Sequence, residues 1–106
     1  LTPRDLARSL EHLRQHLGID QINTIIGGSL GGQVGIEWAY LLQHQVKNTI
    51  ILASNAKTSP WTIAFNESQR MAIETDCTWG ENHPEAGKKG METARAIAMI
   101  SYRHPE

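Results

Sequence analysis

Thr24-Ile25-Ile26-Gly27-Gly28-Ser29-Leu30-Gly31-Gly32 runs from β-branched apolar residues through a Gly-x-Ser-x-Gly pattern straight into helix-forming sequence. Where a strand reverses sharply into a helix, the central residue takes a strained backbone conformation and its side chain projects from the turn. The stretch therefore presents Ser29 as a candidate nucleophile, with Gly27 and Gly31 expected to leave room for the close approach of strand and helix. The backbone N–H of Leu30 falls at a helix N-terminus, where unpaired donors and the helix dipole favour an anion. It is a candidate for half of an oxyanion hole, whose loss typically costs ~3 kcal/mol of barrier stabilisation. Glycine-rich strand-to-helix turns also serve tight packing and phosphate binding, so the pattern alone leaves catalysis and structure open.

The flanking sequence reads as an alternation of helices and strands. Thr2 is a good N-cap, Pro3 suits the first helical position and Asp5 sits three residues after the cap, while Leu6, Leu10, Leu13 and Leu17 recur at helical spacing up to Gly18. Asn23 to Gly28 reads as a buried strand, Leu30 to about Gln43 as a helix, and Thr49 to Ala53 as a second buried strand. Continuous apolar strands separated by a helix imply parallel pairing. Two strands leave open edges, so further strands are expected from outside this chain, which opens at Leu1 directly on a helix start.

The second half has a different character. Ser59 and Pro60 start a helix through Phe65, Arg70 and Ile73; a polar loop with Trp79, Gly80, Pro84 and Gly87 follows; Gly90 to about Ser101 is helical again. The expected organisation is an α/β core fragment over residues 1–59 and the start of a helical cap over residues 60–106, with the boundary between Ala56 and Thr75.

Composition narrows the function classes. The 106 residues are 40% hydrophobic and 20% charged, which fits a small globular unit or part of a larger domain. No apolar run approaches the ~20 residues needed to span a bilayer, and no signal peptide is evident, so a cytoplasmic, membrane-free protein is expected. Cys77 is the only cysteine, which excludes an intramolecular disulfide. A formal charge of −1, with no basic block longer than Lys88-Lys89, gives no electrostatic footprint for nucleic acid.

Gly27-Gly28-Ser29-Leu30-Gly31-Gly32-Gln33, Glu37-Trp38-Ala39, Ile63-Ala64-Phe65-Asn66-Glu67, Arg70, Ala72-Ile73, Ala94-Arg95 and Ser101-Tyr102 together closely resemble the homoserine O-acetyltransferase family, across essentially the whole chain. The resemblance implies an internal fragment of an α/β-hydrolase fold, from an enzyme of methionine biosynthesis. It implies ping-pong transfer of acetyl from acetyl-CoA, as co-substrate, to the hydroxyl of L-homoserine. It puts the nucleophile at Ser29, an oxyanion donor at the Leu30 backbone and the substrate-carboxylate contact at Arg95, with no bound cofactor or metal and a homodimer of the full-length protein. A guanidinium suits a carboxylate because it holds it with paired, charge-assisted hydrogen bonds. Asn66 and Arg70 match the family without an assignable chemical role. Cys77 stands where family members commonly have proline, and the loop from Gly80 to Gly87 looks shorter than in many relatives.

In such folds the triad acid and histidine follow the serine far downstream, and the resemblance implies that both lie beyond Glu106. Local substitutes fit poorly. His12 and His16 share a helix face, but Leu13 stands where a zinc-protease glutamate would be. His44 follows the far end of the helix that starts at the elbow, and His83 and His104 fall in polar segments. Asp20 and Asp76 read as loop and helix-end residues, and Trp38, Trp61 and Trp79 as packing residues. The rivals are a serine hydrolase, or a succinyl- or serine-specific acyltransferase, of the same fold, and a non-catalytic structural piece. The isolated chain is expected to be inactive.

Overall fold

A computed structural model of the chain describes residues 1–102. Six elements follow one another as α1 (Pro3–His16), β1 (Ile22–Gly28), α2 (Leu30–Leu42), β2 (Val46–Leu52), α3 (Pro60–Glu74) and α4 (Lys88–Ser101). They fall into two compact units, Leu1–Lys57 and one beginning at Thr58.

In the first unit, α1 starts on a reciprocal cap. The Thr2 hydroxyl accepts the Asp5 N–H at 3.3 Å, and the Asp5 carboxylate accepts the Thr2 N–H at 2.9 Å. The helix ends with Leu17 as C-cap and Gly18 at φ 65°, the left-handed position that glycine takes without a Cβ penalty. α1 packs on α2 through Ala7, which is fully buried, and through the Arg4–Glu37 ion pair at 2.7 Å, with the Arg4 guanidinium over the Tyr40 ring.

Arg14 is also buried and is well satisfied. Its Nε and Nη2 grip the two Glu11 oxygens at 2.8 Å each, and Nη1 donates to the carbonyls of Ile19 and Asp20. Glu11 further accepts from Trp38 Nε1 at 3.3 Å, which joins α1 to α2. The leucines that recur at helical spacing along α1 are partly open, with Leu6, Leu10, Leu13 and Leu17 all exposed by more than a third. Leu6 and Leu10 border an apolar groove of about 520 Å³ whose other walls include Ile25, Ile26, Val34 and Trp38. The stripe therefore faces a space beside β1 that no described residue fills.

β1 and β2 form a two-stranded parallel sheet, with register Ile22↔Val46 through Gly28↔Leu52. α2 connects them, as the apolar pattern implies. β2 starts three residues earlier than its apolar run, because Val46 and Asn48 pair with Ile22 and Thr24 although Lys47 and Asn48 are polar. Backbone pairing with β1 holds this segment, and Asn48 Nδ2 adds a bond to the Asn23 carbonyl at 3.1 Å. The strand stops before Ala53, whose φ is 47°. Ile26, Ile50 and Leu52 remain substantially exposed on the strands.

The second unit is helical, with no strand among its described residues. Ser59 caps α3 by accepting the Thr62 N–H at 3.2 Å, with Pro60 at the first helical position. α4 begins at Lys88, two residues before the start read from sequence, and packs on α3 along Gly90, Ala94 and Ala98. Trp61 and Trp79, read as packing residues, are 78% and 57% exposed, whereas Trp38 is half-buried.

Candidate active site

The strand-to-helix turn is built by contacts that leave no room for side chains at two glycines. A Cβ on Gly27 would lie 2.2 Å from the Gly31 carbonyl oxygen, and one on Gly32 would lie 2.4 Å from the Ser54 Cβ. The expectation for Gly31 itself is corrected: a Cβ there meets nothing within 4 Å. The crowding falls on the strand side against the Gly31 backbone, and on Gly32 from the segment after β2. Ser54 is not legible from the sequence as part of this turn, since a serine following a strand carries no signal of its own. Its hydroxyl oxygen is buried without a hydrogen-bond partner among the described residues.

Ser29 occupies the turn at φ 51° and ψ −123°. A non-glycine residue with positive φ stores on the order of 1–3 kcal/mol of strain, which the surroundings must hold in place. They do so through the backbone. The Ser29 N–H donates to the Leu52 carbonyl at 3.0 Å, and the Ser29 carbonyl accepts from Gly32 and Gln33 at 3.0 and 3.3 Å. With its main chain fully engaged and no capping bond from its hydroxyl, Ser29 leaves an exposed Oγ at the N-terminus of α2.

Leu30 is the first residue of α2, so its N–H has no intrahelical acceptor and points out of the helix end. Together the two residues present a hydroxyl beside a free main-chain donor. Chemically this suits attack on a carbonyl carbon, with the N–H stabilising the oxyanion that forms. The apolar groove noted above reaches Leu30 and Gly31 but is lined by no titratable side chain, so it offers Ser29 neither acid nor base.

Within the first unit, no other candidate joins this pair. No imidazole is hydrogen-bonded to Ser29 among the residues of the first unit. His12 and His16 are exposed on α1, and His44 is exposed just past the C-terminal end of α2, the end away from Ser29. His83 belongs to the second unit, where Nε2 lies 2.9 Å from Glu81 and Nδ1 accepts the Glu85 N–H. His104 lies outside the described residues. Arg95 is also in the second unit, exposed on α4 with no partner among the described residues, whereas Arg70 is paired with Glu67, Nε to Oε2 at 2.8 Å. Among the described residues no group of three or more His, Cys, Asp or Glu is arranged to hold a metal ion, and no helix is long and apolar enough to cross a membrane.

The sequence profile of the alpha/beta hydrolase fold matches residues 2–95. The chain belongs to the alpha/beta hydrolase fold family. Within it, the chain is 68% identical over 105 residues to the homoserine O-acetyltransferase of Cyclobacterium marinum, covering 99% of this chain and 30% of that protein. Among solved structures, homoserine O-acetyltransferase from Staphylococcus aureus superposes with a TM-score of 0.76 at 41% identity, over 94% of this chain and 28% of that one. The acetyl esterase MekB superposes with a TM-score of 0.89 at 26% identity, over 99% and 32%. The chain thus spans under a third of the length of each of these relatives. Membership agrees with the parallel strands, the crossover helix and the serine at the turn between them.

Proposed function

We propose that this chain is the nucleophile-bearing part of a homoserine O-acetyltransferase, which moves acetyl from acetyl-CoA to the hydroxyl of L-homoserine in methionine biosynthesis. The observation that carries the chemistry is Ser29, held at positive φ by the Leu52 carbonyl with its hydroxyl free beside the Leu30 N–H. The similarity to homoserine O-acetyltransferases along the whole chain supports the choice of substrates.

In this reading the reaction runs in two halves. Ser29 Oγ attacks the thioester carbonyl as its proton passes to a histidine supplied by the rest of the enzyme, and the oxyanion is stabilised by the Leu30 N–H and a second donor. The C–S bond breaks and CoA leaves as the thiol. The homoserine hydroxyl then attacks the acetyl-serine, its carboxylate held by Arg95, and the released Ser29 oxygen regains a proton. Acyl transfer prevails over hydrolysis only where water is kept from the acyl-enzyme, a task suited to the helical residues from 60 onward acting as a cap. The full-length enzyme is read as a cytoplasmic homodimer with no bound cofactor.

A second reading, an acetyl ester hydrolase, draws support from the high TM-score to an acetyl esterase. Stopped-flow kinetics of the full-length protein with acetyl-CoA and L-homoserine tests both. A stoichiometric CoA burst lost in Ser29→Ala, followed by O-acetylhomoserine formation, supports the transferase. Free acetate as the main product, with homoserine present, supports the hydrolase.

A further inference from the structure

α4 starts behind Gly87, an N-cap residue with no side chain to accept the first free N–H groups of the helix. Asp76, just past the end of α3, supplies the acceptor from a distance. Its Oδ2 takes the Gly90 N–H at 2.8 Å, while Oδ1 takes the N–H and hydroxyl of Thr78 at 2.9 and 2.7 Å. The Thr78 hydroxyl in turn accepts the Gly87 N–H at 2.9 Å. One carboxylate and one hydroxyl therefore tie the end of α3, the following loop and the first turn of α4 together. The Gly90 N–H, with Thr78 adding to it, holds the Asp76 carboxyl down at about 2, so the acceptor is fully charged near neutrality.

A second constraint acts on the rotation of α4. Gly90, Ala94 and Ala98 are buried at four-residue spacing, and a Cβ on Gly90 would lie 2.8 Å from the carbonyl oxygens of both Ala72 and Ile73. This stripe sets which way the helix faces, while the Asp76 bond sets where along α3 it begins. Arg95 follows Ala94 directly. It lies about 7.5 Å along the helix axis from Gly90 and about 100° around from the buried stripe, on the exposed side. A shift of the helix start along α3 is carried to it through the helix backbone.

We infer that Asp76 is the positioning residue for Arg95, its carboxylate fixing the start of α4 so that the guanidinium is held ready for the acceptor's carboxylate; this rests on the function proposed above. Asp76 touches neither substrate in this scheme and acts only through α4.

The test uses the full-length enzyme and exploits the two half-reactions. In a ping-pong scheme kcat/KM for acetyl-CoA reports the first half alone, and kcat/KM for L-homoserine the second. Asp76→Ala is expected to lower kcat/KM for L-homoserine by on the order of tenfold, the scale of effect that a lost helix cap carries, with the acetyl-CoA value unchanged. Asp76→Asn, which keeps one carbonyl acceptor, is expected to recover part of that loss, and it carries the test if the alanine variant does not fold. An equal fall in both values means a general stability role and overturns the inference, as does an unchanged homoserine value. If the wild-type enzyme does not acetylate L-homoserine, the proposed function fails on its own. The link is then read from amide hydrogen exchange over residues 90–95, where acceleration in Asp76→Asn sustains it and unchanged protection overturns it.

Discussion

The Ser29 N–H donates to the Leu52 carbonyl at 3.0 Å, so the residue at the turn is held by the end of the neighbouring strand. This bond extends the parallel ladder one step past Gly28↔Leu52 and stabilises a backbone conformation that serine seldom adopts. The strain at Ser29 is therefore a property of two strands and a helix taken together. Each part of that arrangement can be perturbed separately.

Gly27→Ala puts a Cβ 2.2 Å from the Gly31 carbonyl oxygen, a backbone atom that moves only if α2 moves. Full-length Gly27→Ala is expected to lose on the order of 1–3 kcal/mol of stability, as overpacked sites do, and most of its activity, since the same displacement turns the Leu30 N–H relative to the Ser29 hydroxyl. Denaturant melts and acyl-burst amplitudes check this, and a variant with wild-type burst and midpoint would show that the close approach is dispensable.

Ser29→Ala removes only the hydroxyl, which bonds to nothing among the described residues, so stability should change little. Turnover of the full-length enzyme is expected to fall by roughly four orders of magnitude or more, the scale seen when a nucleophile is deleted. A retained acetyl-enzyme adduct, read by intact mass after mixing with acetyl-CoA, would place the nucleophile elsewhere.

Arg95→Ala is expected to raise the KM for L-homoserine by on the order of a hundredfold, because a charge-assisted paired contact to a carboxylate is lost. The acetyl-CoA half-reaction should be untouched. Because Arg95 has no protein partner among the described residues, its loss should leave the thermal midpoint within a degree or two of wild type. A fall in stability without a change in KM would assign it to packing.

Glu11 carries a pH signature. The hydrogen bonds from Arg14, with smaller contributions from Trp38 and Gln15, hold its carboxyl at about 2, below its ordinary 4.5, against an opposing effect of burial. A lowered native value contributes stability that is fully present above about 4.5 and is lost as the pH falls towards 2. Glu11→Gln is therefore expected to be less stable than wild type at pH 7, with the gap closing between pH 4.5 and 2. Chemical denaturation of both proteins across that range checks it; a gap that is constant with pH would mean the carboxylate charge contributes nothing.

Much of the core was legible along the chain because its signals are local. The Thr2–Asp5 cap, Pro3, the glycine after α1, the apolar run of β1 and the Ser59-Pro60 start of α3 each act within a turn or two of their own position. The same holds for the elbow, since a strand, a serine between glycines and a helix start are adjacent in sequence. Where reading failed, the cause lay at a distance. Val46 and Asn48 are in a strand because β1 pairs with them, and α4 starts at Lys88 because a carboxylate fourteen residues before Gly90 receives its N–H.

The sequence by itself determined the family, the nucleophile candidate and the order of elements, since spacing and residue type carry these. Tertiary structure alone decided that Gly27 and Gly32, and not Gly31, are the crowded glycines, that Arg14 is buried while the α1 leucines are partly open, and that Leu52 anchors Ser29. The physical reason is the same in each case. Steric contact and main-chain hydrogen bonding depend on which atoms meet in space, and residues far apart in the chain meet only once the elements have packed.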